Sequence, residues 1–154
     1  MRIEYINPFV ESAFSVLREV LNADPKRGEL YLKSSSQSIL GVAAIVGLAG
    51  DVEGRVLLDM TYDTALSIAS AMNMEELKTL DDLGKATINE LANMITAQAV
   101  TKLHDLGFEF DLTPPSIITG DNMEVSDTGV EALIVPVEVP QGKIEINVAV
   151  RERS

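Results

Sequence analysis

The sequence has 154 residues, 46% of them hydrophobic, which suits one folded domain with its own core and excludes a disordered chain. Acidic residues outnumber basic ones 24 to 12, for a net charge of −12, a balance that repels nucleic-acid phosphates and anionic membrane surfaces alike. Cysteine is absent, so disulfides, thiolate nucleophiles and Cys-ligated metals are excluded.

Met1 to Asn7 carries no apolar run before a small-residue cleavage site, and no stretch of about 18 uncharged apolar residues follows. A cytoplasmic domain spanning residues 1–154 is therefore expected. Asn7 can cap the first helix, with Pro8 at its first position and Val10, Ala13, Phe14, Leu17, Val20 and Leu21 at helical spacing. Pro25 and Gly28 close it. Leu30 to Lys33 suggests a short strand, and Ser34 to Ser38 a polar loop. Ile39 to Leu48 is nearly all apolar, with Gly41 and Gly47 inside it, and reads as a strand buried on both faces. Gly50 to Gly54 forms a turn and Glu53 to Met60 returns, giving a hairpin. Thr61 to Met72 is a second helix. The longest helix opens at Thr79, with Asp82 three residues on as a capping pattern, and closes at Gly107, a span of roughly 40 Å. Asp111-Leu112-Thr113-Pro114-Pro115 forces extended backbone, and strands follow at Ser116 to Thr119 and Glu131 to Val139. Ile144, Ile146, Val148 and Val150 alternate with Glu145, Asn147, Ala149 and Arg151, so the chain ends in a half-buried strand. The expected fold is α+β, with antiparallel or mixed strands covered by helices.

On a helical wheel, Gly84, Ile88, Leu91, Ala92, Ile95, Ala99 and Leu106 form the core stripe of the long helix. Glu90 and Asn93 fall opposite, about 60° apart around the axis and one turn apart along it. Ala86 lies one turn before Glu90 and Ala97 one turn after Asn93, with Val100 and Thr101 beyond. A purely solvated face usually carries Lys and Glu at such positions, although Ala is also the best helix former. A carboxylate and an amide on a flat face suit chemistry that needs positioning rather than proton transfer. Hydrolysis of an acyl phosphate such as aspartyl phosphate is of that kind, because water must be held in line with the phosphorus–oxygen bond. An amide oxygen can accept from that water while the NH₂ donates to a phosphate oxygen. A carboxylate fits better opposite a partner cation, where it orients the two proteins.

Asn89-Glu90-Leu91-Ala92-Asn93-Met94-Ile95-Thr96-Ala97 resembles the signature of the CheC/CheX/FliY phosphatases, whose core is Glu-x-x-Asn in a long helix. Asp111 to Pro115, followed by Gly120, resembles that family's Thr-Pro-Pro segment. Gly50 to Gly54 with Arg55 to Met60 resembles its hairpin. Members with two sites repeat Glu-x-x-Asn in the first helix, whereas here Glu11 is followed three residues later by Phe14, so one site per chain is expected, as in the CheX-type members. The resemblance implies a phosphorylated CheY-like response regulator as substrate, Glu90 meeting a regulator Lys, and Asn93 aligning the water. It places Ala86, Ala97 and Thr101 in the partner-binding face. It also implies that the required Mg²⁺ sits in the regulator rather than in this chain, and that two copies form a homodimer through sheet edges.

Other residues read more simply. His104 is the sole histidine and fits an exposed structural role rather than a metal site. Asp81 and Asp82 suit a helix N-terminus, and Asp121, Glu124 and Asp127 a solvated loop without calcium-site spacing. Ser34, Ser35, Ser36 and Ser38 lack a nucleophile elbow, and Gly47, Gly50 and Gly54 lack the spacing and Lys of a phosphate loop. Met72, Met74 and Met94 suit core and helix-end packing. Two other functions fit the chain: a non-catalytic regulator-binding or flagellar-switch-like adaptor, and a small-molecule sensor. Nothing polar in the expected core favours the sensor.

Overall fold

The computed structural model describes residues 3–33, 36–126 and 131–152. Helix α1 (Ile3–Leu21) begins a turn earlier than Asn7, and Pro8 lies inside it rather than at its start. Tyr5, Ile6 and Phe9 are buried, so this added turn is held by core packing although Pro8 cannot donate a backbone hydrogen bond. The helix ends at Asn22, whose φ of +49° is the left-handed conformation asparagine tolerates. The hydrogen-bonded edge strands β1 (Lys26–Arg27) and β2 (Tyr31–Lys33) follow. Ser34 and Ser35 of the expected polar loop lie outside the described residues, whereas β3 (Ser36–Ser38) is a strand.

The hairpin is present: β4 (Val42–Gly50) and β5 (Val52–Met60) pair antiparallel, with Val42 opposite Met60 and Leu48 opposite Gly54. Only Asp51 separates them, so the expected five-residue turn is tighter than its composition suggested. Helix α2 (Tyr62–Asn73) follows, capped by Thr61. Helix α3 (Asp82–Asp105) is capped by Asp81, not Thr79, through acceptance from the Gly84 N–H at 3.0 Å. Its C-terminus closes as expected at Gly107, with φ +96°, Gly107 N–H donating to His104 and Phe108 N–H to Leu103. Strands β6 (Phe110–Leu112), β7 (Ser116–Thr119), β8 (Glu124–Ser126), β9 (Ala132–Val139) and β10 (Gly142–Glu152) complete the chain.

The main sheet runs β1-β9-β10-β5-β4-β6, with β2 also on β9 and β7 also on β4; all recorded pairings are antiparallel. One face, made of residues such as Val42, Ala44, Val56, Leu58, Ile144, Ile146 and Val148, packs against all three helices. Alternate residues necessarily point to the other face. That face is not open to water. Ile39, Ala43 and Leu57 are buried there, with Met123 and Val125 from the β3–β8 side packed against them. Tyr31 Oη donates to Glu145, and Leu40 N–H donates to Asp59 Oδ1 at 2.9 Å. Consequently Glu145 and Asn147 are buried and β10 is covered on both faces, against the half-exposed strand expected from its alternation.

Candidate active site

Helix α3 lies over β4 and β7 and alongside α1 and α2. Gly84, Ile88, Leu91, Ala92, Ile95, Thr96, Ala99 and Leu103 are its buried residues. The expected core stripe holds except at its end: Leu106 is 58% exposed, and Leu103 takes the inward position. The helix terminates at Leu106, so the wheel no longer governs where that side chain points. Thr96 is buried because its Oγ1 bonds back to the Ala92 carbonyl at 2.9 Å, satisfying the hydroxyl inside the helix.

Glu90 and Asn93 are both exposed, on the side away from that stripe. Neither side chain has a hydrogen-bond or ion-pair partner among the described residues, so both are available to another molecule. Asn89 and Gln98 are half-buried, and Asn89 Oδ1 is buried without a partner among the described residues; Asn93 is thus the helix's one exposed carboxamide. Ala86, Ala97 and Thr101 are exposed around the pair, as expected, while Val100 turns inward against the core. Thr101 Oγ1 donates to the Ala97 carbonyl at 3.2 Å, which keeps the hydroxyl low on the surface. The face is therefore flat, with one acid and one amide standing up from it. It presents no general base paired to a nucleophile. What it can do is hold a water and a charged partner in a fixed relation.

The corresponding positions of α1 are occupied differently. Glu11 is joined to Lys102 Nζ at 3.1 Å, and Phe14 packs against the core. His104 is exposed and meets the Phe110 ring edge-on at 5.5 Å. Among the described residues no group of three or more His, Asp or Glu could hold a metal ion. Asp121 and Glu124 are exposed, and Asp127 lies outside the described residues. Met72 and Met94 pack on the core as expected, but Met74 is 93% exposed.

A second polar group sits on the far face of the sheet. Asp59 and Glu145 are cross-strand partners on β5 and β10, both buried, with Arg55 and Asn147 also buried on that face. Burial pushes Asp59 up to about pKa 6, and the Glu145 carboxylate adds to the rise against the Leu40 N–H, which lowers it. Burial and the Glu145 contact push the Tyr31 hydroxyl up to about 12. Polar groups therefore do lie inside the molecule, contrary to the expectation, but on the side opposite Glu90 and Asn93.

The profile of the family described as "Chemotaxis phosphatase CheX" matches residues 42–138, which include the hairpin, α2 and the whole of α3. The chain belongs to the CheX chemotaxis phosphatase family. The CheY-P phosphatase CheX of Thermotoga maritima is 31% identical over 140 residues, 90% of each chain. The CheX of a Borrelia burgdorferi CheX–CheY–BeF₃–Mg²⁺ complex is 49% identical, covers 98% of this chain and 100% of its own, and superposes with a TM-score of 0.85. A CheC-like superfamily protein from Shewanella sp. PV-4 is 27% identical with a TM-score of 0.88, covering 98% and 99% of the two chains. The CheX-family assignment thus rests on sequence along most of the chain as well as on the α+β architecture.

Proposed function

We propose that this chain hydrolyses the aspartyl phosphate of a phosphorylated CheY-like response regulator in the cytoplasm, ending the chemotaxis signal, with Glu90 and Asn93 as its active pair. The observation that carries the residue assignment is their joint projection from the exposed face of a helix anchored by its buried stripe. Asn93 Oδ1 accepts a hydrogen bond from the attacking water, and its NH₂ donates to a phosphoryl oxygen. The water oxygen forms a bond to phosphorus as the phosphorus–oxygen bond to the regulator's Asp breaks, leaving a carboxylate and inorganic phosphate. Glu90 pairs with a regulator Lys and so fixes the angle at which the phosphoryl group meets Asn93. Mg²⁺, present in the complex of the Borrelia CheX with CheY and a phosphoryl mimic, belongs in this reading to the regulator's acidic pocket, where it neutralises phosphoryl charge.

Positioning of this kind accounts for a large share of a barrier, so Asn93→Ala lowers the rate of phosphate release about a hundredfold or more, with fold retained. Glu90→Lys weakens binding by setting like charges opposite each other. A time course of phosphate release from the phosphorylated receiver checks both; an unchanged rate in Asn93→Ala removes the assignment. An adaptor on the same fold binds the receiver without shortening its phosphate lifetime, so the same assay separates that alternative.

The chain also pairs with a second copy through a sheet edge. Supporting this are Leu32, exposed within the edge strand β2, and Leu30, exposed just before it.

A further inference from the structure

Two of the exposed apolar residues, Met74 and Leu83, lie at the end of α2 and in the first turn of α3, on the N-terminal side of the proposed active pair. Met74 follows α2 with φ +50° and ψ +39°, a left-handed conformation that glycine or asparagine normally takes. Its side chain is 93% exposed, so the strain is not offset by burial within this chain. Its neighbour Asn73 donates from Nδ2 to Thr87 Oγ1 at 2.8 Å, which pins the end of α2 to α3 one turn before Glu90. Leu83, 48% exposed in the first turn of α3, precedes Glu90 by two turns. It therefore lies roughly 10 Å before Glu90 along the axis and within about 20° of it around the helix.

We propose that Met74 and Leu83 form an apolar docking lip for the receiver domain, contacting a nonpolar part of its surface beside the phosphorylation pocket. The inference rests on the phosphatase reading above. A stable complex covers about 800 Å² per partner, a disc of roughly 16 Å radius. Centred on Glu90 and Asn93, such a footprint takes in Leu83 and the end of α2 pinned at Thr87. It leaves out Leu106, also exposed but roughly 24 Å from Glu90 along the same helix. An unbranched thioether adapts to a partner's shape, and a buried aliphatic chain at the rim excludes water from the polar pair. The lip is indifferent to whether the phosphoryl group is in its ground or transition state. It adds uniform binding, not rate at saturation.

The test measures phosphate release against the concentration of phosphorylated receiver for four variants. Met74→Asn and Leu83→Ser each raise the half-saturating concentration about fivefold or more and leave the limiting rate unchanged. Leu106→Ser, equal in chemistry, changes neither. Met74→Asn relieves the left-handed strain, so its melting temperature is equal or higher while its docking is weaker; a structural role would move both downward. An unchanged half-saturating concentration in both lip variants, or a loss confined to the limiting rate, overturns the docking lip. Full activity in Asn93→Ala overturns the phosphatase assignment beneath it instead.

Discussion

Gly54 lies where β5 passes against β10, with φ +140° and Ala149 and Val150 directly beside it. A Cβ added there would fall on the Ala149 carbonyl oxygen, which is backbone and cannot swing aside. Gly54→Ala is therefore expected to destabilise the fold by about 3 kcal/mol, since a positive φ and a backbone clash act together; a urea titration gives the value. In the sequence Gly54 reads as turn chemistry, because nothing in its neighbours reveals a strand from the far end of the chain. The outward placement of Glu90 and Asn93 is legible for the opposite reason. Their setting depends on one helix, whose 3.6-residue period separates them from Ile88, Leu91 and Ile95 without reference to the rest of the fold. The exposure of Met74 is not legible, because its residue type suits packing and only the folded chain shows it 93% exposed at the end of α2.

The β5–β10 pair places a pH-sensitive group on the covered face of the sheet. Asp59 has its pKa raised to about 6 in the folded state, so folding binds a proton between the ordinary carboxylate value and 6. The sign follows: this group favours the folded state as pH falls from above 6 toward 4, and its ionisation costs stability above 6. Asp59→Asn keeps an oxygen acceptor for the Leu40 N–H while removing the charge facing Glu145. It is expected to stabilise the protein by about 1 kcal/mol at pH 8 and to flatten the melting-temperature profile between pH 4 and 7. Melting curves of the two proteins across that range decide it. At this scale the long elements were readable and the short ones were not. β4, β5 and α3 carry enough residues to show a period, whereas β1, β3 and β8 have two or three residues each and are fixed by pairing with distant partners. The sequence alone points to a cap two residues early, because Thr79 and Asp81 are both good caps. Burial of Leu80 and its N–H bond to the Tyr62 hydroxyl select the later one.

Taken as a whole, the chain is a sheet with helices on one side and a thin cover on the other. Alternation along β10 could not reveal that cover: period two separates the faces but does not say whether the second meets water. The layers keep different surfaces apart. If two copies join through the β2 edge, Leu32→Glu converts the dimer to a monomer, read as a halved mass by light scattering. The outward face of α3 has a further consequence. Eight inward residues anchor the rod in the core and a cap closes each end of it. Glu90 and Asn93 already stand uncovered on its outward side in the chain alone. On the proposed reading no uncovering step precedes the reaction, and the first event is the arrival of a charged messenger on that side.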